Sequence, residues 1–74
     1  MKYDNEKEVS SEAFEEFLWE YPKRKSHVAH ISYPPRMMFY EEIQSGELKY
    51  IAYYFDDFLK NNARRYFIFL EDKA

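Results

Sequence analysis

Apolar residues recur at helical spacing near the start of this 74-residue chain: Phe14, Phe17, Leu18 and Tyr21 fall at i, i+3, i+4 and i+7. Ser10 stands where such a helix needs a cap. Glu12, Glu15 and Glu16 load the early turns, where the helix dipole favours anions. Val9 and Phe14 hold the two positions of a hydrophobic staple. Pro22 disfavours helical backbone at Tyr21, so the spacing predicts a helix that ends there. Lys23, Arg24 and Lys25 follow, next to the negative end of the dipole. Trp19 lies about 140° around the wheel from Phe14, off the stripe, so it either covers the rim of the core, the commoner fate, or is exposed.

Beyond Pro22 the period changes to two. Residues 27–33 alternate, with Ala29, Ile31 and Tyr33 on one face and Val28, His30 and Ser32 on the other. Pro34 and Pro35 interrupt any ladder there, so that segment reads as an edge strand or an extended lead-in. Residues 37–43 and 48–55 read as two strands joined by Gln44-Ser45-Gly46, with the only glycine where a short hairpin needs a left-handed residue. Residues 65–70 form a final β-favouring run. A rival pattern overlays the middle of the chain. Leu48, Ile51, Ala52, Phe55, Phe58 and Leu59 also make a helical stripe, which Asn61-Asn62 would cap. The β-favouring run from Tyr50 to Phe55 and the placement of Gly46 favour the hairpin.

The expected fold is therefore α+β: an N-terminal helix packed on a small antiparallel sheet of three to four strands. The rival order is α-β-β-α-β, with residues 47–61 helical. Residues 1–8, charged and unpatterned, read as a flexible N-terminal arm, and residues 9–74 as a single small domain. The core candidates are Phe14, Phe17, Leu18, Ile31, Leu48, Ile51, Phe55, Ile68 and Leu70.

Composition sharpens this picture. Eight Tyr, seven Phe and one Trp stand against one Gly and no Cys. A domain this small buries only about 60% of its unfolded surface, so so many rings cannot all enter one core. Tyr and Trp also suit interfaces, because each joins an apolar body to a polar handle. The net charge of −3 is segregated. Residues 1–22 carry two Lys and seven acids, whereas residues 23–40 carry four cations and no acid. Residues 41–59 are acidic again, and residues 60–74 mildly basic. Such blocks make local fields that the total conceals. No apolar run approaches the ~18 residues of a membrane span, and the first residues lack a signal-peptide core, so a cytoplasmic protein is expected.

Candidate chemistry is sparse. His27 and His30, three apart in a strand, point to opposite faces with no neighbouring ligand, so no metal site is expected. The pairs Glu41-Glu42 and Asp56-Asp57 each point apart in a strand. No phosphate loop or nucleophile–base signature accompanies them, and neither an enzyme nor a cofactor is expected. The acidic helix residues Glu12, Glu15, Glu16 and Glu20 read as a solvated face.

The leading functional expectation is a non-enzymatic protein–protein interaction module, with Trp19, Tyr40, Tyr53 and Tyr54 as exposed anchors. Its partner is another protein or a second copy of the chain. The composition suits a small phage- or prophage-type regulator or accessory protein. The alternative is single-stranded nucleic-acid binding through Lys23, Arg24, Lys25, Arg64 and Arg65, since cations beside rings are the machinery of that recognition. The run from Arg65 to Phe69 shares the flavour of an RNA-recognition strand but lacks its glycine. A homodimeric structural protein is the third reading, because self-association stabilises small folds.

Overall fold

The computed structural model describes residues 5–30 and 34–70. Its elements are strand β1 (Glu6–Val9), helix α1 (Ser11–Leu18) and strands β2 (Lys25–Ala29), β3 (Arg36–Glu42), β4 (Leu48–Asp57) and β5 (Ala63–Phe69). A 3₁₀ turn, Phe58–Lys60, precedes β5. All neighbouring strands pair antiparallel in the order β1-β5-β4-β3-β2, which makes β4 the central strand.

The hairpin reading holds in the middle of the chain: Leu48 to Asp57 is a strand, and the helical rival for residues 47–61 is absent. Gly46 adopts φ +87°, and its N–H donates to the Ile43 carbonyl at 2.9 Å. The helix starts as predicted, with the Ser10 hydroxyl accepting from the Ala13 N–H at 3.2 Å. It ends at Leu18 rather than Tyr21. Pro22 draws Tyr21 out of helical backbone, and the last turn tightens so that the Tyr21 N–H donates to the Leu18 carbonyl at 2.9 Å. Arg24 closes the end, its Nη1 donating to the carbonyls of Leu18 (2.8 Å) and Tyr21 (3.0 Å).

The sheet has five strands rather than three or four, because part of the expected arm is a strand. Glu6–Val9 pairs with β5 along its whole length, from Glu6 opposite Phe69 to Val9 opposite Tyr66. The first four residues of that arm lie outside the described residues, as do Ile31, Ser32 and Tyr33 of the expected edge strand.

Helix α1 covers one face of the sheet. Phe14 and Leu18 are buried there with Ile51 and Ala52, and Val9, Phe17, Tyr21, Phe39, Tyr54, Tyr66 and Ile68 pack around them. Phe14 is the hub, its ring 5.5 Å from Phe39, 6.1 Å from Tyr54 and 5.1 Å from Tyr66. Two core candidates fail: Leu48 is 43% exposed and Leu70 46%, because both lie where β4 and β5 no longer pair with each other. Phe55 is half-buried on the opposite face. Met38, Ala52 and Tyr53, absent from the expected core, are buried.

A register shift between Phe39 and Tyr40 explains how Ile51 and Ala52 serve one core. Phe39 pairs with Ala52 and Tyr40 with Tyr50, leaving Ile51 as an extra residue. At such a bulge the alternation of side chains slips by one. Ile51 therefore joins Ala52 on the helix side, and Tyr50 is carried to the far face.

Candidate functional site

Strand alternation assigns the face opposite the helix residue by residue. Glu6 and Glu8 come from β1; Arg65, Phe67 and Phe69 from β5; Tyr53, Phe55 and Asp57 from β4. Arg36, Met38 and Tyr40 come from β3, and Lys25, His27 and Ala29 from β2. Among the described residues no element packs over this face.

Its centre is a stack of rings. Tyr53 and Phe67 lie 4.9 Å apart with their planes 11° from parallel, and Phe55 and Phe67 lie 5.9 Å apart at 5°. Phe69 adds a ring tilted by 40°, 5.6 Å from Tyr53. A guanidinium sits on each side of the stack. Arg36 is 4.8 Å from the Tyr53 ring centre, and Arg65 is 5.3 Å from that of Phe67. Both also approach Phe55, at 5.9 and 5.7 Å. This is the face-on placement that the ring quadrupole attracts. A second cluster, created by the bulge, joins His27 to Tyr40 (5.1 Å) and Tyr50 (5.9 Å).

Polar groups clip the stack to the edge strand. Tyr53 is 1% exposed, and its hydroxyl donates to Glu6 Oε2 at 2.5 Å, two strands away. Burial, reinforced by the neighbouring carboxylate, pushes the Tyr53 phenol well above its ordinary range. Arg65 grips Glu8 with two nitrogens, at 2.8 and 3.1 Å, and Asp57 with a third at 3.2 Å. The Arg65 hydrogen bond holds the Glu8 carboxyl below its ordinary value. Arg65 is thus neutralised within the fold, whereas no carboxylate pairs with Arg36 or Lys25 among the described residues.

The four expected anchors divide between the faces. Tyr53 is buried and Tyr40 half-buried on the ring face, whereas Tyr54 lies beneath the helix. Trp19 alone is fully open, 79% exposed at the helix end rather than at a core rim. It borders a groove with Arg24, Tyr54, Arg64 and Tyr66. The five expected anion contacts divide as well. Arg24 and Arg64 line that groove, Arg24 tied to the helix carbonyls and Arg64 to Asp56 at 2.9 Å. Arg65 and Lys25 belong to the opposite face, and Lys23 is exposed in the loop between α1 and β2.

The residues that the sequence left unassigned to any site are Glu6, Glu8, Arg36, Phe55, Phe67 and Phe69. A signal for the rings existed: β4 and β5 read apolar on both faces, although one short helix covers only one. Among the described residues no group of His, Asp or Glu can hold a metal ion, and no helix is long and apolar enough to cross a membrane. The chain matches no family model, no curated protein and no solved structure.

Proposed function

We propose that this chain is a non-enzymatic interaction module that docks a protein through the helix-free face of its sheet. One observation carries the reading: a one-helix, one-sheet fold places Tyr40, Tyr50, Phe55, Phe67 and Phe69 on the face its single helix does not cover. Rings flanked by arginine are the composition of interface centres. Arg36 over Tyr53 and Phe55 supplies a cation already packed on apolar surface, a group that loses little freedom when a partner closes over it.

Single-stranded nucleic acid is the second reading, and the specific feature in its favour is the same pairing of rings with Arg36 and Lys25. Its weakness is charge. Glu6, Glu8 and Asp57 share that face, and Arg64 and Arg65 are already held by carboxylates. A polyanion needs cations free to displace counterions.

One experiment tests both. A photoreactive phenylalanine analogue replaces Phe55, or Trp19 as control, and is activated in an extract of source cells. The protein reading expects discrete, protease-sensitive adducts from position 55 and few from position 19. Nuclease-sensitive adducts from position 55 would move the nucleic-acid reading ahead. Absence of adducts from position 55 would remove this face from both.

A further inference from the structure

Resting on that reading, we propose that the occupant of the helix-free face is a second copy of this chain, docked by a two-fold axis running along β4. Three features of the face lead there. The first is position: β4 is the middle of five strands, so an axis along it superposes β5 of one copy on β3 of the other, and β1 on β2. The second is shape. The apolar residues Tyr53, Phe55, Phe67, Phe69 and Met38 occupy the three central strands, where two sheets packed roughly 10 Å apart interdigitate.

The third feature is charge. Glu6 lies on edge strand β1, in the row that continues through Phe69 of β5. Lys25 lies on the other edge strand, in the row of Tyr40 and Tyr50. These are the same end of the sheet, and the edges are about 19 Å apart. Neither residue has an ion-pair partner among the described residues. An axis along the strands brings the Glu6 of each copy over the Lys25 of the other, making two identical ion pairs. An axis across the strands would instead lay each edge strand over its own copy with its ends exchanged, which carries Glu6 away from Lys25. The first arrangement pairs these charges across the axis and the second does not, and a two-fold interface must be self-complementary in this way. Arg65 then falls opposite Arg36, a juxtaposition that Glu8 and Asp57 neutralise by holding Arg65 from both sides.

The test is a charge swap read by sedimentation equilibrium of the purified chain. Wild type is expected at twice its 9.2 kDa mass. Glu6→Lys and Lys25→Glu each weaken the dimer by about tenfold, since each creates two like-charged contacts. The double variant recovers most of that loss, because lysine then faces glutamate across the axis. Glu6→Gln, which keeps an acceptor for the Tyr53 hydroxyl, separates loss of charge from loss of fold. It is expected to retain its circular dichroism and to weaken the dimer by a smaller factor than Glu6→Lys. A chain that stays monomeric at millimolar concentration overturns the proposal. So does a dimer indifferent to the single swaps, or one that the double variant fails to restore. A monomeric chain that still gives protein adducts from position 55 would leave the docking face standing and remove only the second copy.

Discussion

At the scale of single residues, Tyr53 shows how far alternation alone can be read. Its ring was legible as one of a run of strand aromatics, and the sequence placed it among exposed anchors. In the fold it is the most enclosed ring among the described residues, laid against Phe67 with its hydroxyl on Glu6. Period two tells which residues share a face; it does not tell which neighbours close over them. Tyr53→Phe keeps the packing and removes one hydrogen bond, so we expect a loss of about 1 kcal/mol in denaturant unfolding. The same substitution alters the alkaline limb. The folded phenol titrates above its ordinary value of 10.0, so its contribution is complete below that value and is lost as pH rises beyond it. Wild type should therefore lose stability above about pH 10 more steeply than Tyr53→Phe.

At the scale of elements, the helix start, the β3–β4 hairpin and the β5 run were readable because their causes are local. A capping serine, a left-handed glycine and a dense β-favouring run all act within a few residues. Strand β1 was not readable, because its cause is remote. Its four residues, Glu-Lys-Glu-Val, carry little β preference, and Arg65, 57 positions away from Glu8, clamps them in place. The bulge at Ile51 was equally hidden, since it exists only in the register between two strands. The clamp is testable by pH. Arg65 holds the Glu8 carboxyl below its ordinary 4.5, so its stabilisation is complete above that value and fades as pH falls through the lowered one. We expect the thermal midpoint to hold from pH 7 to about 5 and to fall below that. Glu8→Gln should start lower at pH 7 and show a shallower acid decline.

At the scale of the whole molecule, the aromatic surplus acquires a location. One eight-residue helix protects one face of a five-stranded sheet, and Tyr40, Tyr50, Tyr53, Phe55, Phe67 and Phe69 gather on the other with Arg36 and Arg65. The composition foretold that rings would outnumber core positions, but which rings would be left over depended on where β1 and the helix packed. Trp19, the residue most conspicuous in the sequence, stands apart from this face, at the helix end. The molecule thus offers two rival aromatic surfaces, and the account depends on choosing the ring face over the tryptophan groove. The most direct measurement is the hydrodynamic size of the chain in an extract of source cells, compared between wild type, Phe55→Glu and Trp19→Ala. We expect wild type and Trp19→Ala to migrate well above the 9.2 kDa monomer and Phe55→Glu to fall back to it. A wild type that migrates as a monomer, or an assembly that Trp19→Ala releases and Phe55→Glu leaves intact, would contradict the account.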